Sequence, residues 1–252
     1  MAASRSASWG PSDRVLRTSP VLSSLQHEEL SELLVAGRPA RLRRGGSLLR
    51  PKDDLAALVL RGTAVAAAIG RDGQPVVVDF LGPGALTGLP VVLGQPDAGL
   101  EVTALAPLDG LLFPGGQLRD RIGRHPTLAT ACLRAVNAEL AVARRDLASH
   151  ADTSTTERVV DRLLQLAEDW GEEKDGTVDL VIPLTQEMLA SWARSSREST
   201  AKALHLLREQ GLIRTGRRSM TILDFEGLKA RSRRGGRVAE RVIRDLLASL
   251  VT

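Results

Sequence analysis

Residues 184–213 read LTQEMLASWARSSRESTAKALHLLREQGLI, and this stretch decides the fold of the C-terminal third of the chain. Thr185 is a good N-cap for a first helix, and Ser196 is a good N-cap for a second one. Gly211 suits the position just after the second helix, where a left-handed residue ends it. The first helix has an apolar face at Met188, Leu189 and Trp192. Two short helices joined by a tight turn predict a helix-turn-helix.

The second predicted helix has a buried face and an exposed, partly basic face. The buried face consists of Thr200, Ala203, Leu204 and Leu207. The exposed first turns carry Arg197, Glu198, Ser199 and Lys202. Such a helix can lie in the major groove of DNA with its N-terminal side chains at the base edges. A helical hairpin with a solvated basic face is the alternative interpretation.

The segments around this motif favour DNA binding. Residues 184–252 hold 14 Lys and Arg against 7 Asp and Glu, a net of +7, while the whole chain carries +4. Phosphate binding requires such a concentration of basic side chains. Residues 212–215 and 220–223 predict two strands joined by a turn that carries Arg217 and Arg218, which is a basic-tipped wing.

Residues 183–223 resemble the DNA-binding domain of the cyclic-AMP receptor protein/FNR family of bacterial transcription regulators, most specifically in the run SRES at 196–199. The Arg197 fork matches guanine, Glu198 can accept from cytosine, and Lys202 can reach a second guanine or a phosphate. The resemblance implies this work for all three positions, and a GTG-like half-site. Arg194 departs from the family's usual Gly in the turn, and a left-handed Arg costs on the order of 1 kcal/mol. The predicted DNA-binding residues are Thr185, Gln186, Ser196, Arg197, Glu198, Ser199, Lys202, Arg217 and Arg218.

An all-β pattern fills residues 38–113, where short apolar runs alternate with Gly, Pro and Asp turns. A helix is predicted before it, over 15–34. The order of strands and glycines resembles the N-terminal jelly roll of the same family. In that comparison LGPG at 81–84 stands where glycines open the phosphate-binding cassette. The resemblance therefore implies a cyclic-nucleotide-binding-like jelly roll.

The cassette departs from the cyclic-AMP-binding members of the family at two positions. Those members hold the ribose with a Glu and the cyclic phosphate with an Arg. Gly88 remains, but Leu89 replaces the Glu, and Ala98, directly before Gly99, stands where the Arg is expected. A buried anion would lose its charge-assisted pair there, so we expect weak or no binding of cyclic AMP or cyclic GMP. The pocket is either vestigial or takes a different ligand, and the effector is unknown.

Residues 126–149 follow one long helical pattern. Apolar residues recur in it with the 3-4-3-4 spacing of a coiled-coil seam, at Leu133, Val136, Leu140, Ala143 and Leu147. The family places its dimer helix here, and a homodimer suits a palindromic operator whose half-sites lie one helical turn apart. A helix that packs on its own domain would show the same stripe, so that alternative stays open.

The region between the long helix and the helix-turn-helix begins with a hinge. Thr155 or Thr156 is expected to cap an amphipathic helix over 157–170. Residues 171–176 are expected to form an acidic exposed loop. The resemblance leaves open a contact of this neighbourhood with RNA polymerase, and a solvated loop is the alternative.

The sequence lacks the motifs typical of enzymes and the apolar segments typical of membrane-spanning proteins. The four histidines are scattered singly, and no nucleophile elbow, Walker A loop or dinucleotide fingerprint occurs, so no catalytic residue, metal or cofactor is predicted. Cys132 is the only cysteine, which excludes a cysteine-ligated iron–sulfur cluster and fits a reducing cytoplasm. No apolar run reaches the roughly 18 residues of a membrane span.

The sequence therefore predicts an α+β protein with an N-terminal cyclic-nucleotide-binding-like β jelly roll, a long dimerisation helix and a C-terminal winged helix-turn-helix. We expect a cytoplasmic homodimer that binds double-stranded DNA sequence-specifically. The alternative is a non-specific architectural or signalling module whose β-sandwich mediates protein contacts. The predicted segments are a disordered tail at 1–13, the sensor domain at 14–125, the dimerisation helix at 126–151, the DNA-binding domain at 152–230, and a basic linker with an amphipathic helix of undecided role at 231–252.

Overall fold

The structure is a computed structural model. It describes residues 11–70, 73–96, 99–150, 153–216 and 218–232. The chain forms two compact units, residues 1–148 and residues 149–252. The predicted C-terminal helix over 238–251 lies outside the described residues, as does most of the predicted N-terminal tail.

The first unit begins with three short helical segments. They are α1 (Asp13–Thr18), a 3-10 turn (Leu22–Ser24) and α2 (His27–Ala36). The prediction of one helix over 15–34 is therefore wrong. Pro20 has no N–H to continue α1, and Gln26 starts α2 afresh through a capping box with Glu29.

Two four-stranded antiparallel sheets follow. One sheet has the order β1-β8-β3-β6 and the other β2-β7-β4-β5. β3 lies between two hydrophobic clusters, because its side chains alternate between the faces of the sheet. Ala56, Leu58 and Leu60 join the cluster beneath the helices, whereas Ala57 and Val59 join the cluster between the sheets. The strands are β1 (Arg38–Leu42), β2 (Ser47–Leu49), β3 (Leu55–Arg61), β4 (Ala64–Ile69), β5 (Pro75–Leu81), β6 (Leu86–Thr87), β7 (Glu101–Ala104) and β8 (Leu108–Pro114).

Three further helices complete this unit. They are α3 (Leu89–Val92), α4 (Gly115–Arg124) and α5 (Pro126–His150). α3 lies between β6 and β7, where the sequence predicts the cassette. The start of α5 packs on the helix-side cluster through Leu128, Ala131 and Cys132. The predicted combination of a β-sandwich and one long helix is confirmed.

The second unit is a winged helix-turn-helix. Its sheet has the antiparallel order β11-β12-β10-β9, and α6, α7 and α8 pack on one another. The described residues contain no helix with the length and apolarity that a membrane crossing needs. The elements are α6 (Thr155–Trp170), β9 (Gly171–Lys174), β10 (Thr177–Leu180), α7 (Gln186–Trp192), α8 (Arg197–Glu209), β11 (Ile213–Gly216), β12 (Ser219–Ile222) and α9 (Phe225–Ala230).

Two local predictions in this unit are wrong. The acidic loop predicted over 171–176 is a hairpin, because β9 pairs with β10 through a turn at Asp175 and Gly176. Both turn residues have positive φ, which is the geometry that Asp-Gly favours in a two-residue hairpin turn. The cap of α6 is Ser154 rather than Thr155 or Thr156, because Ser154 and Glu157 form a capping box.

Candidate DNA interface and ligand pocket

α7 is anchored at both ends. At its N-terminus the Thr185 hydroxyl accepts a hydrogen bond from the backbone N–H of Met188 at 3.1 Å. At its C-terminus Trp192 is buried, and the Arg162 guanidinium of α6 lies 4.5 Å from the centre of its ring. A cation over an indole is a favourable contact, and it fixes α7 against α6.

The turn between α7 and α8 has the left-handed residue that the sequence predicts. Arg194 has φ of +48°, and its N–H bonds to the Ser191 carbonyl at 3.0 Å. The adjacent Ala193 carbonyl accepts from Arg158 Nε of α6 at 3.0 Å. The same guanidinium donates to the Thr153 carbonyl at 2.6 Å. Arg158 therefore ties the turn to the start of α6, a role that no local sequence pattern reveals.

α8 presents its polar first turns to solvent from a fixed base. The Ser196 hydroxyl caps the helix by accepting from the Ser199 N–H at 3.0 Å, and Gly211 has φ of +69° directly after the helix C-cap. The predicted buried face is confirmed at Thr200, Ala203, Leu204 and Leu207. Because that face is packed, the opposite face cannot rotate away from solvent.

The predicted base-reading side chains lie together on the exposed side of α8, and each has an acidic or basic neighbour. Arg197 Nη2 donates to Glu187 Oε1 of α7, and the two side chains are 74% and 64% exposed. Lys202 Nζ donates to Glu198 Oε1 at 2.6 Å within α8. Glu187 was not among the predicted site residues, because its contact with Arg197 depends on the packing of two helices.

The wing stands beside α8. Its two strands pair in antiparallel register, and Arg208 Nη1 donates to Thr215 Oγ1 at 3.1 Å, which ties α8 to β11. Arg218 is exposed in the turn with φ of +59°. Arg217 lies outside the described residues. Gln186 is exposed at the start of α7, so the described members of the predicted DNA-binding set all belong to the two helices and the wing.

The structure has a buried core leucine at the position of the predicted ligand pocket where the resemblance implies a Glu. Leu89 is fully buried and belongs to the hydrophobic cluster under the helices. Gly88 has φ of +86°, and a Cβ there would lie 2.4 Å from the Leu55 carbonyl oxygen. A Cβ on Gly99 would lie 1.6 Å from the Pro51 carbonyl oxygen. Ala98 lies outside the described residues.

A different arginine lies near α3 and is already paired. Arg119 of α4 donates to both carboxylate oxygens of Asp54, at 2.8 and 2.9 Å, and to the Val92 carbonyl at 3.0 Å. These hydrogen bonds hold the pKa of Asp54 below its usual value. Since the fork of Arg119 is occupied by a carboxylate, it is not arranged to receive a second anion.

The predicted dimer seam divides into two groups of residues. Leu133, Leu140 and Leu147 are 59%, 43% and 71% exposed, and Ala143 is exposed beside them. Val136 differs, because it is partly buried against the core of its own unit. Neighbouring Cys132 is buried, and burial raises the pKa of its thiol to about 11. The three exposed leucines thus lie seven residues apart, along one line of α5.

Comparisons with known proteins identify the family. A model of the Crp-like helix-turn-helix domain matches residues 157–231, which extend from α6 to α9. The transcriptional regulator SdrP of Thermus thermophilus is 30% identical over 187 residues, which is 73% of this chain and 88% of SdrP. The chain belongs to the CRP/FNR family of bacterial transcription regulators.

Other relatives and solved structures also match most of the chain. A CRP-like cAMP-activated global transcriptional regulator of Mycobacterium tuberculosis is 25% identical over 224 residues, 88% of this chain and 100% of the relative. The structure of FixK2 from Bradyrhizobium japonicum has the same fold, with a TM-score of 0.67, 18% identity, and coverage of 78% of this chain and 97% of FixK2. The chain is thus a CRP/FNR-type regulator whose second unit is its helix-turn-helix DNA-binding domain.

Proposed function

We propose that this regulator is a cytoplasmic homodimer that binds a palindromic DNA site sequence-specifically, through α8 of each protomer. The observation that carries the proposal is the fixed orientation of α8. Thr200, Ala203, Leu204 and Leu207 bury one face, so Arg197, Glu198 and Lys202 must lie on the other. A helix held in this way can enter the major groove with its first turns at the base edges.

The three exposed side chains have complementary base partners. Arg197 has a fork that fits O6 and N7 of guanine, and Glu198 can accept a hydrogen bond from N4 of cytosine. Lys202 reaches a second guanine or a phosphate, with looser discrimination than an Arg because it lacks a bidentate fork. The remaining polar residues lie at the starts of the two helices, where hydroxyl and amide groups contact the DNA backbone. They are Thr185 and Gln186 for α7, and Ser196 and Ser199 for α8.

The exposed side of α5 supports the proposed dimerisation. Three leucines at heptad spacing leave apolar area in water, and pairing with the same helix of a second chain would bury it. A two-fold axis along α5 makes the two α8 helices equivalent. An operator with two inverted half-sites, about one helical turn apart, then matches the protein.

We further propose that neither cyclic AMP nor cyclic GMP binds the first unit. Leu89 is a buried hydrocarbon at the position where the resemblance implies an acceptor for the ribose. Arg119 is engaged with Asp54 and Val92, so it does not replace the missing phosphate partner. A buried phosphate without a charged partner is strongly disfavoured.

Selection of bound sequences from a random DNA pool tests the function. We expect enrichment of an inverted repeat with GTG-like half-sites, bound roughly 10³-fold or more tightly than random DNA at physiological salt. Enrichment of no motif, with salt-dependent binding alone, would favour the non-specific architectural module instead.

A further inference from the structure

The contact between Glu187 and Arg197 joins the two helices of the DNA-binding motif. Glu187 lies in the first turn of α7 and Arg197 in the first turn of α8. The positions of both backbones are fixed, because Leu189 and Trp192 of α7 and Leu204 of α8 are buried. The carboxylate therefore stands beside the guanidinium as a consequence of the helix packing.

Glu187 also has an alternative explanation that involves only its own helix. An acidic residue in the first turn of a helix stabilises it by interacting with the helix dipole. That role accounts for a Glu at this position, and it requires nothing of Arg197. It predicts that neutralising Glu187 lowers the melting temperature slightly and leaves the choice of DNA sequence unchanged.

The chemistry of the pair gives Glu187 a second effect. A guanidinium has five N–H donors in a rigid plane, and Nη2 of Arg197 uses one of them for Glu187. The remaining donors include a fork that can face O6 and N7 of a guanine. A carboxylate that holds one edge of the guanidinium restricts its rotamers, so less conformational entropy is lost when the base is bound.

The negative charge of Glu187 also acts on every DNA sequence. Close to the duplex, a carboxylate is repelled by the phosphates, which weakens binding to random and cognate DNA alike. On cognate DNA the oriented Arg197 compensates by pairing with guanine. Because the repulsion lowers both affinities by a common factor, only the orientation of Arg197 widens the difference between them.

We propose that Glu187 is a positioning residue that increases base discrimination by holding Arg197 for guanine, while its charge lowers the affinity for every DNA sequence. The proposal rests on the base-reading role of Arg197 given under the proposed function. It assigns to α7 a specificity determinant that contacts no base itself.

The test is a double-mutant cycle on the full-length protein. Glu187→Gln, Arg197→Ala and the combined variant are titrated, at one salt concentration, with the selected operator, with an operator whose half-site guanine is replaced, and with random DNA. Glu173→Gln is the matched control, since Glu173 is exposed on β9 and its neutralisation changes the net charge equally. Melting temperatures of all variants verify folding.

Glu187→Gln is expected to bind random DNA more tightly and to lower the operator-to-random affinity ratio about two- to fivefold per half-site, as befits an exposed ion pair. It should also reduce discrimination at the replaced guanine. In the Arg197→Ala background the same substitution should leave both ratios unchanged, because the partner is gone. Glu173→Gln should leave both ratios unchanged in either background.

Three results would contradict the proposal, and they separate it from the proposed function. If Glu187→Gln changes operator and random affinity by one common factor, Glu187 is only a general charge. If it lowers the ratio equally with and without the Arg197 side chain, it does not act through Arg197. If Arg197→Ala itself weakens operator and random DNA alike, base reading by α8 fails and the proposal fails with it.

Discussion

The start of α8 and the segment around α3 contrast sharply in what they keep of the CRP/FNR pattern. In α8, Arg197 and Glu198 match the run that carries the resemblance, and both lie exposed on its free face with Lys202. Around α3, Gly88 remains, while Leu89 takes the place of the Glu that the resemblance implies and is buried in the core. One region keeps polar side chains at the matched positions, and the other keeps a glycine of the backbone turn without the matching Glu.

This difference explains why the glycines around α3 are weak evidence that this segment binds a ligand. Gly88 has positive φ, and a side chain at Gly88 or Gly99 would collide with a backbone carbonyl of the loop at 51–55. The packing of the jelly roll therefore requires both glycines with or without a nucleotide. A polar residue that only contacts a ligand is not required for folding, so leucine can replace it while the fold persists.

Gly88→Ala should have the largest effect on stability. The left-handed backbone costs an alanine about 1 kcal/mol, and the Cβ would overlap the Leu55 carbonyl, so we expect a total loss of roughly 3–4 kcal/mol. Urea unfolding followed by circular dichroism measures it. Gly94→Ala is the control, because Gly94 has φ of +100° but no atom within 4 Å of its added Cβ. If the two variants lose equal stability, packing does not hold Gly88.

Charged substitutions in the predicted seam of α5 should have the next largest effect, which is on the assembly of the dimer. Replacing Leu140 and Leu147 with Asp places four carboxylates in an apolar interface, which should weaken the dimer by roughly 3 kcal/mol or more. Sedimentation should then show monomers with a nearly unchanged melting profile for the first unit. Val136→Asp should lower that melting temperature as well, since Val136 packs on its own core. A dimer that survives Leu140→Asp with Leu147→Asp would locate the interface elsewhere.

Removal of the Arg197 side chain should have a smaller effect per half-site, restricted to cognate DNA. Arg197→Ala should weaken operator binding by roughly 1–3 kcal/mol per half-site and random DNA much less. Arg218→Ala in the wing should weaken both about equally and flatten the salt dependence, because it is expected to contact phosphate. Parallel titrations over a range of salt concentrations separate the two patterns, and equal losses for Arg197→Ala would remove α8 as the reading helix.

The helix-turn-helix could be predicted from the sequence because its signals are local. Thr185, Ser196 and Gly211 end or begin helices through contacts within a few residues, and the buried face of α8 follows helical spacing. The left-handed conformation of Arg194 is also predictable, from the resemblance of the turn to that of the family. The β9–β10 hairpin was missed because three charged residues outweighed the Asp175-Gly176 turn signal.

The side-chain interactions that support the site could not be predicted from spacing. Arg158 reaches Ala193 across 35 positions, and Glu187 meets Arg197 across ten, so both contacts exist only after the helices pack. Heptad spacing places Val136 in the predicted dimer seam, but it does not tell which neighbour covers a helix face. Burial in the folded unit separates it from Leu133, Leu140 and Leu147.

The contrast between the two regions is tested most directly by one thermal-shift experiment with two ligands. The selected operator duplex should raise the melting temperature of the DNA-binding unit, because a ligand that binds the native state stabilises it. Cyclic AMP at millimolar concentration should shift no transition and leave operator affinity unchanged. A saturable rise of several degrees with cyclic AMP would contradict the account, because it would mean that the pocket around Leu89 still binds the nucleotide.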